Sequence, residues 1–462
     1  MLKLELKSYR DDLDREINVE KEKRSTELND IIAEIKNKNI IKDDLSKTIE
    51  TLQKDFIGDQ KTAQDKLVEL VKSKTHFDFI SGRDLSSSEL SSFVPLKALP
   101  QSEYFTDYIT FRNQLNDKMK SQQRKFTNHF IDNLLISIHQ NTLTLFAGLP
   151  GTGKTTLSKI LTNSLVPKER IREISVSRGW TSQKDLIGFS NPLTGKFYSS
   201  NTDFYSLIKQ LDFEYKSGQY LNRPLSFVIL DEANLSPLEH YWSTFYNLTD
   251  SNAVQNNPLK INLGFEELEY PNNLKFLGTI NYDQTTEELS PRIIDRVNII
   301  RIPQTEYEIS QLTTNELTAL SISFQNCIDL FKLLDYNKEP LDLVIPSEEL
   351  EEKYNEIKEI FKALKINISP RIDISIKRYC QVARKFMTEV MRPLDYCVAQ
   401  RLLPLINIQG NKAQLLKLLE VIKGFNLDES VSELILTNIL ESGEKEGYYE
   451  DNYNYFLTLS NV

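Results

Sequence analysis

Glycine is scarce in this chain, and so are cysteine and histidine. The 462 residues include 15 glycines, three cysteines and four histidines. Cys327, Cys380 and Cys397 lack the close spacing of metal ligands, and the histidines are scattered, which argues against a zinc site. We therefore expect the cysteines to be buried free thiols of a reducing compartment.

Long hydrophobic runs are also missing. No apolar run approaches the roughly 18 residues that a membrane-spanning helix needs, and the N-terminus has no signal-peptide pattern. A cytoplasmic protein without a membrane partner is therefore expected. The net charge of −10 argues against a surface that binds nucleic acid throughout, but it is compatible with a local basic patch or pore. The length allows two or three domains.

Three of the few glycines fall within six positions, in the stretch TLFAGLPGTGKTTLSKIL at residues 144–161. A glycine, four residues and then Gly-Lys-Thr form the phosphate-binding P-loop pattern, placed here between a strand-like run and a helix-like run. We expect Lys154 to reach the β- and γ-phosphates and the Thr155 hydroxyl to hold Mg²⁺. The predicted nucleotide-binding residues are Gly148, Pro150, Gly151, Thr152, Gly153, Lys154, Thr155 and Thr156.

An acidic pair follows a second strand-like run, in LSFVILDEANL. Asp231 and Glu232 come directly after the apolar residues 227–230. At the carboxyl end of a parallel strand, Asp231 is expected to hold Mg²⁺ directly or through water, and Glu232 to act as general base. The alternative is that the pair caps the following helix.

Further polar residues follow a third strand, KFLGTIN. Asn281 at the end of this strand is a candidate to orient the attacking water. Arg292 and Arg296 lie four residues apart and therefore on one helical face. They are either surface ion-pair residues or candidates to reach the γ-phosphate of a neighbouring subunit, and spacing alone does not distinguish the two roles. Arg371, at a predicted helix start in the helical region, is a candidate to reach the same phosphates.

Alternating helix and strand patterns predict an α/β fold with a parallel central sheet. The expected organisation has five parts. They are a helical coiled-coil arm at 1–57, a linker with short helices at 58–125, a large nucleotide-binding domain at 126–304, a helical lid domain at 305–440, and an acidic, tyrosine-rich tail at 441–462.

Three segments leave alternatives open. The arm is either a single rod or a hairpin that turns at 37–39, and it serves either as a spacer or oligomerisation arm or packs on the next domain. The segment 179–198 either contacts DNA or a partner near a pore, or packs on its own domain. The tail is either mobile or docks on a neighbour.

Taken together, these motifs resemble those of the AAA+ ATPases and, among them, the McrB-like group of restriction-system motor subunits. The resemblance covers about residues 126–440. It rests on GLPGTGKTTL, WTSQKDLIGFSNPLTGKFY, FVILDEANLSPLEHYW, FLGTINYDQTTEELSPRIIDRVNIIRI and, in the lid, PLDYCVAQRLLPLI.

The resemblance implies a homo-oligomeric ring, usually a hexamer, with each nucleotide held between subunits. The P-loop, the acidic pair and Asn281 would act within one subunit. Arg296, with Arg292 as the other candidate, would act on the neighbouring subunit, and Arg371 would act from the lid. The ring would then drive or license a McrC-like nuclease or another effector on DNA, contacted directly or through the partner.

The sensor region departs from the best-known McrB-like proteins. They have an asparagine, two residues and an aspartate, a feature linked to GTP use, whereas this chain has Asn281-Tyr282-Asp283. We therefore expect ATP as substrate, with GTP as the alternative. Two other functions compete with the motor: a MoxR-like protein-remodelling chaperone and a nucleotide-gated assembly scaffold.

Overall fold

The computed structural model describes most of the chain from residue 107 onward. The described ranges are 107–191, 196–249, 259–264, 266–270, 272–283, 286–303, 319–331, 344–444 and 451–459, together with Phe105 and scattered residues between 10 and 47. The chain divides into two units, Met1–Ser92 and Phe93–Val462.

In the first unit, residues 17–25 and 35–39 are helical and exposed. The chain is thus helical at 37–39, where the sequence allows a turn. Most of the predicted coiled-coil arm and the linker residues 58–104 lie outside the described residues, so these two predictions remain untested.

The second unit is built on a five-stranded sheet, which confirms the predicted α/β fold with a parallel centre. The strands are β1 (Leu143–Ala147), β2 (Ile171–Ser175), β5 (Ser226–Asp231), β8 (Leu274–Ile280) and β9 (Asn298–Arg301). Their order is β2-β5-β8-β1-β9, and all four pairings are parallel. Because both faces of such a sheet are covered, β1 and β8 are buried along their whole length and consist largely of apolar residues.

Helices pack around this sheet, and two short hairpins form separate two-stranded sheets. The helices are α1 (Tyr108–Ser121), α2 (Asn128–Gln140), α3 (Lys154–Leu165), α4 (Gln183–Leu186), α5 (Phe204–Lys216), α6 (Leu238–Tyr241) and α7 (Pro291–Ile294). The hairpins pair β3 (Gly188–Asn191) with β4 (Lys196–Ser199), and β6 (Leu259–Asn262) with β7 (Glu267–Tyr270). Helix α1 falls within the predicted linker and packs on α2 and α3 through buried apolar residues.

After β9 the described chain is mainly helical, as the sequence predicts. The helices are α8 (Phe324–Phe331), α9 (Glu348–Ala363), α10 (Pro370–Phe386), α11 (Arg392–Cys397), α12 (Lys412–Lys423) and α13 (Val431–Glu444). Strand β10 (Asn407–Gln409) pairs antiparallel with β11 (Asn452–Asn454), which is followed by a 3₁₀ turn at Phe456–Leu459.

A buried polar network joins this helical region to the sheet. Gln400 accepts a hydrogen bond from the Asn298 amide of β9 at 2.7 Å and donates one to Asn133 of α2 at 2.7 Å. Tyr379 of α10 donates its hydroxyl to the same Asn133 oxygen at 2.6 Å. Buried polar groups are costly unless they are paired, so this network fixes one arrangement of α2, β9 and α10.

The prediction that the cysteines are buried free thiols is confirmed. All three cysteines are free and buried, and the sulfur atoms of Cys380 and Cys397 lie 3.9 Å apart. Across the described ranges, none of the helices combines the length and apolarity required to cross a bilayer.

Candidate functional site

The glycine-rich motif forms the loop between β1 and α3. Gly151 and Gly153 have φ angles of +82° and +74°, a left-handed conformation that strains any residue with a side chain. Gly153 directly precedes α3, so the free N–H groups of the first helical turn face this loop. Such a loop at a helix N-terminus is suited to bind a phosphate.

Lys154 is folded over the loop. Its side chain is buried, and Nζ donates hydrogen bonds to the carbonyl oxygens of Gly148 at 2.8 Å and Leu149 at 3.0 Å. Burial lowers the pKa of Lys154, and the negative charge of Asp231 opposes that shift. The ammonium group thus lies inside the loop and donates to two neutral carbonyl oxygens. A phosphate oxygen, which is charged, would be a stronger acceptor for the same group.

The P-loop and the acidic strand end are in direct contact. The Thr155 hydroxyl donates a hydrogen bond of 2.6 Å to Asp231 at the end of β5, and the Thr279 hydroxyl of β8 donates one of 2.8 Å to the same oxygen. A hydroxyl beside a carboxylate is a donor set that fits Mg²⁺, which otherwise keeps waters and phosphate oxygens as ligands. Within the described ranges, no group of three or more His, Cys, Asp or Glu side chains offers a metal cage.

Glu232 is held beside this contact in an unfavourable backbone conformation. Its φ is +53°, and its N–H donates to the Thr279 hydroxyl at 2.9 Å. Glu232 is exposed, and among the described residues its carboxylate has no hydrogen-bond partner. Backbone strain of about 1–3 kcal/mol at such a residue persists only when surrounding contacts impose it. Thr279 supplies one of these contacts.

Asn281 is fixed through its backbone. The Asn234 amide donates to the carbonyl oxygen of Asn281 at 2.7 Å and accepts from its N–H at 3.3 Å. The same amide donates to the carbonyl oxygen of Glu287 at 3.1 Å, which closes the loop after β8. In the described part of the chain, the Asn281 side chain forms no hydrogen bond, so it is available to a ligand.

The two candidate arginines share one aromatic partner. The guanidinium carbons of Arg292 and Arg296 lie 5.7 and 5.3 Å from the ring centre of Tyr246. Helix α7 ends at Ile294, so the predicted helical face is only one turn long. Arg296 lies in the turn that follows and donates to the carbonyl oxygen of Arg292 at 3.0 Å. We call residues 291–297 the arginine turn.

Arg292 and Arg296 differ in exposure. Arg292 is exposed, whereas the Arg296 side chain is only 16% exposed. Burial and the charge of Glu239 raise the pKa of Tyr246 to about 12, against the opposing effect of the two arginines, which keeps the phenol neutral.

Arg371 is paired with a residue of the arginine turn in this structure. Its guanidinium pairs with the carboxylate of Asp295, which also accepts the Ser369 hydroxyl. Arg401 donates to the carbonyl oxygen of Val297. The helical region thus contacts the arginine turn at two residues, Asp295 and Val297. A contact between Arg371 and a phosphate would require Arg371 to leave Asp295.

The segment 179–198 is divided in its packing. Trp180 contacts Tyr241 edge to face at 5.2 Å, which anchors the start of the segment in its own domain. Phe189 and Tyr198 stack on each other at 5.7 Å across the β3–β4 hairpin and are about half exposed. The first part therefore follows the packing alternative, while the hairpin leaves two aromatic rings at the surface.

Several site residues were missed by sequence reasoning. Thr279 and Asn234 position the acidic pair and Asn281, and Tyr246 and Asp295 position the arginines. Only Thr279 had a usable signal: residues two apart on a strand face the same side, and Thr279 is two residues before Asn281.

Comparisons with known proteins found one family model and similarity to solved structures. A family model described as a domain of unknown function (DUF8727) matches residues 326–448, which lie in the helical region. A solved structure from Cytophaga hutchinsonii, described as a "putative ATPase", is 17% identical, covers 63% of this chain and 86% of its own, and has a TM-score of 0.39. Comparison with curated proteins gave no match. Similarity at this level assigns no function.

Proposed function

We propose that this chain is a nucleoside triphosphatase of the AAA+ type that hydrolyses ATP, with GTP as the alternative substrate. The observation that carries the proposal is the 2.6 Å contact between Thr155 of the P-loop and Asp231 of β5. The glycine-rich loop and a carboxylate thus lie at the same edge of the sheet, with Lys154 close to Asp231, which supports a role in binding phosphate and Mg²⁺.

Each residue has a defined task in this reaction. The loop amides and Lys154, once it leaves the Gly148 and Leu149 carbonyl oxygens, bind the β- and γ-phosphates. Thr155 and Asp231 would hold Mg²⁺, which neutralises charge on the β- and γ-phosphate oxygens. Glu232 accepts the proton of the water that attacks the γ-phosphorus, and the bond to the β-phosphate oxygen breaks as ADP leaves.

Asn281 orients that water through its side-chain amide. Its backbone is already fixed by two hydrogen bonds to Asn234, so the amide changes its position little when a nucleotide binds. Pre-arranged polar groups of this kind contribute more to the rate than groups that must first be ordered.

The arginine turn supplies charge to an adjoining subunit in the proposed ring. Arg292 is exposed, Arg296 is largely buried, and both pack over the ring of Tyr246. Following the sequence resemblance, we assign Arg296 to the γ-phosphate of the neighbouring subunit, with Arg292 as the other candidate. An arginine supplied in this way contributes about 10³-fold or more to the rate of comparable enzymes.

The biological role that we propose follows the sequence resemblance to McrB-like proteins. A homo-oligomeric, hexameric ring would drive or license a McrC-like nuclease or another effector on DNA, in defence against foreign DNA. The alternatives are protein remodelling of the MoxR type and a scaffold in which turnover is incidental.

The first experiment measures hydrolysis of ATP and GTP in parallel, with oligomer size from sedimentation in each nucleotide. We expect turnover that requires Mg²⁺, and oligomers that form with nucleotide. Lys154→Ala should weaken nucleotide binding at least ten-fold, because a buried phosphate partner is lost. Glu232→Gln should lower kcat about 10²–10⁴-fold while leaving nucleotide affinity within a few-fold.

Matched controls are available on the surface of the same domain. Lys168→Ala and Glu169→Gln make the same chemical changes at exposed positions outside the site and should leave both constants unchanged. Wild-type turnover in Glu232→Gln would reject the general-base assignment. Stimulation by a nuclease partner supports the motor, stimulation by a client protein supports the chaperone, and cellular activity that survives Glu232→Gln supports the scaffold.

A further inference from the structure

Residues 451–459, which we call the C-terminal segment, pack on their own chain. Strand β11 pairs with β10, and the Tyr455 N–H donates to the carbonyl oxygen of Ile406 at 3.0 Å. Tyr453, Tyr455 and Leu459 are buried. The sequence predicts a tail that is mobile or docked on a neighbour, and for this part of the tail the structure shows a third arrangement.

The second half of the segment crosses from the helical region to the sheet. Arg301, the last residue of β9, donates to the carbonyl oxygen of Thr458 at 2.9 Å and to its hydroxyl at 3.1 Å. In the sheet register, Arg301 is paired with Ala147, the residue directly before the P-loop. The segment is therefore attached at the same edge of the sheet as the nucleotide site.

The segment also reaches the loop that carries Asn281. The ring of Phe456 stacks on the ring of Tyr282 with centres 6.1 Å apart and planes at 27°. Phe456 is itself fixed, because its N–H donates to the Asn454 side chain at 2.8 Å. Tyr282 directly follows Asn281 in the chain. The backbone of Asn281 is therefore held by Asn234, and the residue after it is held by the aromatic contact with Phe456.

We propose that Phe456 is a positioning residue for Asn281, acting through Tyr282, so that the C-terminal segment is required for full turnover. The proposal rests on the function proposed above. Asn234 fixes the backbone position of Asn281. Rotation of the loop about Asn281 is limited separately, by the contact of Tyr282 with Phe456. Removal of the ring contact permits this rotation, and the amide then spends less time in the orientation that aligns the attacking water.

The test removes the aromatic ring but keeps an apolar side chain. Phe456→Leu is expected to lower kcat about three- to ten-fold with the KM for nucleotide within two-fold, which is the range of a single aromatic pair. Phe456→Tyr keeps the ring and should restore wild-type kcat. Phe213→Ala, on an exposed phenylalanine of α5, is the control for a general effect of losing a phenylalanine and should leave both constants unchanged.

A second measurement does not depend on turnover. Hydrogen–deuterium exchange of the peptide 281–288 in the nucleotide-free protein should be faster in Phe456→Leu than in the wild type, and unchanged in Phe456→Tyr. If the wild type hydrolyses no nucleotide, the proposed function fails while exchange still reports the contact. Wild-type kcat in Phe456→Leu, a parallel rise in KM, or unchanged exchange at 281–288 would each overturn the positioning role.

Discussion

Replacing Thr279 by valine tests whether one buried hydroxyl organises both acidic residues. Thr279 is 2% exposed, and valine has nearly the same shape, so packing is preserved. The substitution removes a 2.8 Å hydrogen bond to the Asp231 carboxylate and a 2.9 Å hydrogen bond from the Glu232 N–H.

The magnitude follows from the two hydrogen bonds. A bond to a charged group contributes about 1.5–3 kcal/mol and one to a backbone amide about 0.5–1.5 kcal/mol, so the free energy of unfolding should fall by roughly 2–4 kcal/mol. The variant also removes one of the contacts that hold Glu232 in its strained backbone conformation. Because residues that orient a metal ligand affect metal affinity about 10–100-fold, the Mg²⁺ concentration for half-maximal turnover should rise about ten-fold or more.

The assay combines urea unfolding with a Mg²⁺ titration of hydrolysis. Thr279→Ser keeps the hydroxyl and should retain the Mg²⁺ dependence. Thr144→Val is the matched control, because Thr144 is fully buried in β1 and, within the described residues, its hydroxyl has no partner. Loss of that hydroxyl should be neutral or stabilising. A wild-type Mg²⁺ dependence in Thr279→Val, or an equal loss of stability in Thr144→Val, would refute the reasoning.

Two further predictions concern a buried histidine and the arginine turn. Burial lowers the pKa of His139 to about 3. Below pH 6.5 the imidazole of His139 is therefore protonated in the unfolded chain but stays neutral in the folded chain. The free energy of unfolding decreases as the pH is lowered towards 3, and the decrease is about 2 kcal/mol at pH 5. His139→Phe should remove this loss, measured as urea midpoints at pH 7.5 and 5. For the arginine turn, Tyr246→Leu should lower kcat about two- to thirty-fold through lost cation–π contacts, whereas Tyr246→Phe should retain it.

Each of these two predictions has its own control. His240 is exposed, so His240→Gln should leave the acid sensitivity of the protein intact. An unchanged loss of stability at pH 5 in His139→Phe would show that other groups cause it. Equal kcat values for Tyr246→Leu and Tyr246→Phe would show that the ring does not position the arginines.

The central sheet and the P-loop were predictable because their signals are local. Each apolar strand and the glycine-rich loop or acidic pair that follows it together occupy about ten consecutive residues. The spacing alone therefore places the loop and the acidic pair at strand ends. The structure then brings Thr155 and Asp231 together, as expected if the two strand ends share one edge. The roles assigned to these residues, to Asn281 and to the arginines remain predictions.

The supporting contacts could not be predicted, because they depend on which distant elements become neighbours. Thr279 contacts Asp231 because β8 lies beside β5 in a particular register, with Leu230 opposite Gly278. The pairing of Arg371 with Asp295 and the stacking of Phe456 on Tyr282 join residues 76 and 174 positions apart. Neither contact leaves a periodic pattern in the sequence. Their prediction requires the packed structure.

Gly278 of β8 gives this arrangement an evolutionary consequence. A Cβ atom at this position would lie 2.5 Å from Leu145 Cδ2 and 3.1 Å from Ala233 Cβ, so the strand behind the P-loop and the turn after the acidic pair both use the space of one absent methyl group. Substitutions at 278 would therefore displace two parts of the site together, and a compensating change at one contact would leave the other in place. Related sequences that differ widely at the surface hairpins should therefore retain glycine at position 278.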